Sequence, residues 1–209
     1  MSRPITVHVV LFSLRDDSLQ ALLLPNAGTW ELPGENLPPD ESLEEAANRL
    51  LSGLIDRRET YLEQLYTYGE PGRDPQRTVS VVYFALVPTG AHLVPDQTAC
   101  WFPVAALPGM SGDHAEILAY ALRRLRYKLE YSAVGFQLLP AKFTLSELQH
   151  TYEIILGERL DKRNFRRRIL ESGIIEETAH LRTGEGRPAR LFRYRPDAVA
   201  EVKVRRLFP

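Results

Sequence analysis

A chain of 209 residues with 44% apolar content is long enough for one large domain or two small ones, each with a buried core. It contains no uninterrupted apolar run of about eighteen residues, and Met1-Ser2-Arg3-Pro4 lacks the basic-then-apolar opening of a secretory leader. A soluble, cytoplasmic protein is therefore expected. The single cysteine, Cys100, rules out an internal disulfide framework and a thiolate zinc site, and between Ala99 and Trp101 it is expected to be a packed thiol.

In chain order, Ile5 to Leu14 is β-branched and apolar and ends at the turn Asp16-Asp17, so with Leu19 to Leu24 it predicts an antiparallel hairpin. Pro38-Pro39-Asp40 breaks the chain. Ser42 then offers an N-cap, with Glu45 completing a capping box, for a helix carrying Leu43, Ala46, Ala47, Leu50 and Leu51 on one face and ending near Gly53. Tyr61 to Tyr68 and Thr78 to Val87 read as strands, separated by a Gly-, Pro- and charge-rich loop at 69–77. Asp113 is placed to cap a helix from His114 to about Glu130, striped by Ile117, Leu118, Ala121, Leu122, Leu125 and Leu129. Thr144 and Glu147 form a second capping box, for a helix closed by Gly157. Asp161 caps a third helix, Lys162 to Glu171, with Phe165 and Ile169 inward and Gly173 as the left-handed stop. Strands Ile174 to Arg182 and Ala189 to Tyr194 follow, joined by a Gly-Arg-Pro-containing turn.

The net charge of −1 conceals a division: residues 1–113 hold 7 Lys+Arg and 15 Asp+Glu, whereas residues 114–209 hold 19 and 12. One half repels phosphate and the other attracts it. Helix, helix, helix and basic hairpin is the order of a winged helix-turn-helix. On its reading helix, Lys162, Arg163, Asn164, Arg166 and Arg167 occupy the first two turns, from which arginine can meet guanine and asparagine adenine. Arg187 and Arg190 would sit on the wing, near the backbone or minor groove. An isolated Arg166-Arg167-Arg168 would read as a solubilising face; the capped helices around it and the confinement of positive charge to this half favour a DNA reader. Alternation places Phe192 and Tyr194 in the core rather than as base-stacking aromatics.

The stretch Trp30 to Leu51 resembles the Nudix motif, in which glycine, glutamate, arginine and further glutamates are spaced along a loop and helix. Glu41 falls on the first glutamate and Arg49 on the arginine, while Glu35 replaces the opening glycine. Leu50 stands where the next glutamate belongs, and Gly53-Leu54 either replaces the later glutamate pair or is the motif's terminal glycine and apolar residue with the carboxylates deleted; either way they are missing. The resemblance thus implies a Nudix fold without its metal carboxylates and without a metal or other cofactor, hence not an enzyme. Glu44 and Glu45 read as first-turn residues favoured by the helix dipole. Trp30 either stacks on a base or plugs the core. Arg73 and Arg77 either meet phosphate or pair at the surface with Glu70 or Asp74.

Together with Tyr61-Leu62-Glu63-Gln64-Leu65-Tyr66-Thr67-Tyr68-Gly69, Lys128-Leu129-Glu130-Tyr131, the stretch Leu160 to Leu170 and Gly186-Arg187-Pro188-Ala189, these features make nearly the whole chain similar to the Nudix-related transcriptional regulators of NAD metabolism. The resemblance implies an α+β protein: a Nudix-like α/β/α sandwich over residues 1–112 that binds effector through Trp30, Glu41, Arg49, Arg73 and Arg77, then a linker helix and winged helix-turn-helix over 113–209. It further implies a cytoplasmic homodimer that represses NAD biosynthesis or salvage genes. Bound to a palindromic double-stranded operator in the nucleoid, it would be released by ADP-ribose or a related nucleotide. The competing reading is an active Nudix hydrolase of ADP-ribose-like substrates with an accessory nucleic-acid-binding domain.

Overall fold

The computed structural model describes residues 3–56, 60–73, 75–95, 98–183, 188–195 and 197. The chain divides into two compact units, residues 1–121 and 122–209. The division falls inside the helix 114–131.

The first unit contains β1 (Ile5–Arg15), β2 (Ser18–Asn26), β3 (Thr29–Glu31), β4 (Gly34–Asn36), α1 (Leu43–Leu54), β5 (Tyr61–Tyr68), β6 (Val79–Val87), β7 (Cys100–Pro103) and the start of α2 (His114–Tyr131). Its sheet runs β3-β2-β1-β6-β5, with β4 also bonded to β1 and β7 to β2. The β1–β2 hairpin turns on Asp16 and Asp17 at φ 48° and 51°, the positive-φ pair that a two-residue hairpin needs and that aspartate tolerates. β1 and β6 pair in parallel from Ile5↔Val79 to Ser13↔Val87. Both are covered on both faces, which explains their nearly continuous apolar runs.

Alternation then assigns the faces. Val7, Val9 and Leu11 of β1 and Val81, Tyr83, Ala85 and Val87 of β6 pack with Ala46, Ala47, Leu51 and Leu54 of α1. Thr6 and His8 of β1 and Ser80 of β6 point to the opposite face, where the start of α2 lies. The capping box of α1 forms in both halves, and that of the helix Leu145–Leu156 does the same.

β3, β4 and β7 have no counterpart in the sequence-based elements. Each is three or four residues long, too short for a period, and exists because β1 and β2 offer open edges to pair with. β7 also corrects the expectation for Cys100. The thiol is exposed, because alternation along this strand turns Ala99 inward and Cys100 outward, with Trp101 half-buried beneath the Arg15 guanidinium.

The second unit continues from α2 through a 3₁₀ turn (Val134–Leu138) to α3 (Leu145–Leu156), α4 (Lys162–Glu171), β8 (Ile175–Arg182) and β9 (Ala189–Tyr194). Gly157 ends α3 in the left-handed conformation at φ 77°. Leu148, Tyr152, Ile155, Phe165 and Ile169 are fully or almost fully buried, and Tyr152 meets Phe165 edge-on at 5.7 Å. Phe143 exchanges backbone hydrogen bonds with Phe192, adding a bridge beside the β8–β9 hairpin. Phe192 is buried and Tyr194 stacks on Phe136 at 5.0 Å, so both aromatics serve the core as alternation requires.

Candidate DNA-reading face and ligand site

Local chemistry sets α4. The Asp161 carboxylate accepts the Asn164 N–H at 2.7 Å, and Gly173 follows the helix at φ 68°. With Phe165 and Ile169 turned inward, Lys162, Arg163 and Arg167 are exposed, and Asn164 and Arg166 lie on the flanks. Arg167 donates to Asn164 Oδ1 at 2.9 Å and pairs with Glu171 at 3.1 Å. Arg166 donates to Ser146 Oγ at 3.0 Å, while its Nε is buried without a hydrogen-bond partner. On the hairpin, Arg190 pairs with Glu177 at 2.7 Å across the strands, and Arg182 pairs with Glu147 of α3. Such exposed pairs are worth about 0 to 1 kcal/mol, so phosphate oxygens can replace the carboxylates at little cost. Arg187 lies outside the described residues.

The candidate ligand residues do not converge on one spot. Arg49 of α1 grips Glu41 through Nε at 2.9 Å and through Nη2, and it reaches Glu35 of β4 at 2.8 Å. This triad closes the loop before α1, and the two carboxylates raise the affinity of the guanidinium for its proton. Glu35 lies opposite Val7, on the α1 face of the sheet.

Arg73 is on the other face. Its guanidinium forks onto Asp113 at 2.6 and 3.1 Å, donates to Ser80 Oγ at 2.9 Å and lies over the Tyr68 ring at 5.4 Å. The Arg73 side chain is only 13% exposed, and its carboxylate partner Asp113 stands just before α2. Asp74 lies outside the described residues. The Asp113 carbonyl meanwhile accepts the Ile117 N–H in the first turn of α2.

Thr6 Oγ1 donates to Ser80 Oγ at 3.0 Å and sits 3.2 Å from His8 Nε2; the His8 and His114 rings meet edge-on at 5.1 Å. His114 Nδ1 accepts the Leu32 N–H at 3.1 Å, so its proton resides on Nε2. Trp30 packs edge-on against Phe102 at 4.6 Å and exchanges backbone hydrogen bonds with residues 109 and 111, leading toward Asp113. Arg77 is exposed, at φ 55°.

Residues 4–125 match the NUDIX domain family model, and residues 135–194 match that of the NrtR DNA-binding winged helix domain. A protein of Acinetobacter baylyi named ADPR responsive transcriptional repressor NtrR is 38% identical over 202 residues, covering 90% of this chain and 81% of the relative. The chain belongs to the NrtR family. Shewanella oneidensis NrtR, solved in complex with a 27mer DNA, has a TM-score of 0.86 and 34% identity over 98% of this chain and 99% of that one. The Nudix domain of the Shewanella NrtR, solved with ADP ribose, is 31% identical with a TM-score of 0.52, over 60% of this chain and 90% of that domain. Among the described residues, no helix is long and apolar enough to cross a membrane.

In this NrtR-family chain the polar network beneath α2 was missed by sequence reading, apart from Arg73. His8 sits in a strand run that reads as core, and Asp113 reads as a helix cap. Burial, then the neighbouring His114 and Arg73 charges, push the His8 pKa down to about 4, and burial also lowers that of His114. Burial alone would raise the Asp113 carboxyl, but the Arg73 hydrogen bond and charge outweigh it and hold it below the usual range.

Two results are expected. Below its unfolded pKa of 6.5 the unfolded chain takes a proton at His8 that the folded chain refuses until about pH 4. Stability is therefore unaffected by this group above pH 6.5, falls as pH drops from 6.5 to 4 and then levels off. Discounted for the ring's residual exposure, the loss is roughly 2 kcal/mol, and denaturant titrations from pH 7.5 to 4 should show it shrinking in His8→Asn. A Cβ on Gly34 would lie 2.0 Å from His8 Nδ1 and 2.4 Å from its Cε1, far inside van der Waals contact. Gly34→Ala should therefore cost about 1 to 3 kcal/mol in urea unfolding, with His8→Ala in the same chain recovering most of it.

Proposed function

We propose that this chain is a ligand-controlled transcriptional repressor. As a homodimer it holds a palindromic operator, beside NAD biosynthesis or salvage genes, and is released by ADP-ribose or a related nucleoside diphosphate. The observation that carries this reading is α4: a capped helix with an apolar inner face and an outer face of Arg163 and Arg167, flanked by Lys162, Asn164 and Arg166. These residues, with Arg187 and Arg190 of the hairpin, are assigned to DNA. Two recognition helices related by a dyad would meet half-sites one helical turn, about 34 Å, apart. The relatives named as an ADPR responsive repressor and solved with DNA and with ADP ribose support the assignment. The repressor acts in the cytoplasm, with residues 1–112 binding effector and 113–209 carrying the linker helix and reading head.

The Nudix fold implies divalent metal, and the residues present do not fit one. Glu41 is held by Arg49 through both carboxylate oxygens, Glu45 is engaged by the Ser42 cap, and counting the motif on from Arg49 puts Leu50, Gly53 and the core residue Leu54 where its later glutamates would fall. Among the described residues, no group of His, Cys, Asp or Glu is arranged to hold a metal ion. In this reading the chain binds its ligand without hydrolysing it. Of the five effector candidates, Arg73, with Trp30 leading to the same segment and Arg77 exposed four residues on in the same loop, is the group assigned to the ligand diphosphate. Glu41 and Arg49 hold the loop that shapes the cleft. A phosphate that draws Arg73 from Asp113 alters the anchorage of α2, which gives the ligand the differential affinity a switch needs.

The test is a gel shift at moderate salt with a palindromic fragment from the gene neighbourhood. Binding that ADP-ribose abolishes is expected; failure to bind would overturn the reading. AMP release from ADP-ribose with magnesium or manganese would favour the hydrolase instead.

A further inference from the structure

The exposed face of α4 carries one large apolar side chain. Leu170 is 51% exposed, while its neighbour Ile169 is fully buried. Seven residues of helix bring it to within about 20° of Arg163 and roughly 10.5 Å further along the axis, so Arg163, Arg167 and Leu170 share one outward strip. Helix propensity does not explain leucine at this place. Arginine, lysine or glutamine would serve the helix nearly as well without leaving apolar area in water.

The cations Arg163, Arg166 and Arg167 around it give the strip the charge complement of a polyanion. An occupant that combines phosphate with a small apolar group complements this strip. In the major groove, the thymine C5-methyl is the apolar feature of a base edge. The separation of roughly 10.5 Å along α4 is about three base steps of B-DNA.

We propose that Leu170 packs on a thymine methyl about three base steps from the base edge met by Arg163, and so selects thymine in each half-site. This rests on the assignment of α4 to DNA.

The test begins with full-length protein and selection of bound sequences from a random duplex pool. The selected operator is then scanned by replacing each thymine with deoxyuridine, which keeps the pairing and deletes only the methyl. One symmetry-related position should weaken wild-type binding by roughly fourfold per methyl. Leu170→Ala should bind the thymine and deoxyuridine operators equally, with thymidine-operator affinity reduced to the wild-type deoxyuridine value; Leu170→Gln should likewise lose the preference. Circular dichroism of both variants should match wild type, because the half-exposed side chain lies outside the buried Phe165–Ile169 face. A flat scan in wild type, or a variant that keeps the full preference, overturns the proposal while leaving the DNA assignment intact. So does a Leu170→Ala chain whose sedimentation shows a changed oligomeric state, since the side chain would then cover a protein interface. If no sequence is enriched and no duplex is held at moderate salt, the DNA assignment itself falls, and this inference with it.

Discussion

Replacing Arg163 and Arg167 together with alanine is expected to reduce operator affinity by about 2 to 6 kcal/mol, a sum of ~1 to 3 kcal/mol for each cation that loses a base or phosphate contact. Both side chains are exposed on α4, and neither contributes to the Phe165–Ile169 face that docks the helix. Alanine also favours helix at least as well as arginine, so folding should survive. Arg167 has a second role: it holds the Asn164 amide oxygen, so its removal also frees the side chain suited to adenine. Anisotropy titrations at two salt concentrations separate the contributions. A lost phosphate contact flattens the salt dependence by about one unit of slope, whereas a lost base contact lowers discrimination between operator and random duplex. Arg3→Ala, exposed on the other unit, is the control; an equal loss there would mean that net charge rather than the α4 strip governs binding.

Arg73→Ala is expected to destabilise the first unit by about 3 kcal/mol, the lower end of the cost of leaving one member of a buried ion pair alone. The Asp113 side chain is 28% exposed, so water relieves part of the penalty. Ser80 loses a donor at the same time, and the carboxylate left behind faces His8 and His114 across the same network. Adding Asp113→Asn should recover part of the stability, because a neutral amide tolerates burial that a charge does not. Arg73→Lys should fall between, since an ammonium cannot reproduce the two-point fork. Urea unfolding followed by near-ultraviolet circular dichroism measures the series, fitted with separate transitions for the two units. If Arg73 also holds the ligand diphosphate, Arg73→Ala should bind operator yet lose its response to ADP-ribose. A stable variant that keeps the full response would remove Arg73 from the ligand site.

The helices were legible because their signals are local. Ser42 with Glu45, Thr144 with Glu147, and Asp161 with the Asn164 N–H are three residues apart, and the caps form as these spacings require. The long strands were legible for a related reason: apolar runs persist over eight or more residues, as in β1 and β6. The reading of α4 as a basic outer face over Phe165 and Ile169 follows from helical period alone, and the charge division follows from composition.

Relations between distant segments can be read only from the folded chain. Arg73 and Asp113 are 40 residues apart and meet across the sheet face beneath α2, and Thr6 and Ser80, 74 apart, join them because β1 and β6 pair in parallel. The sheet also separates Arg73 from Arg49, although both read as cations of one acidic domain. Which face a strand residue takes depends on register, and register is set by the partner strand rather than by the residue's own neighbours. The same holds for β3, β4 and β7 and for the exposure of Cys100: segments of three or four residues carry too little pattern of their own, and the edges they pair with determine their place.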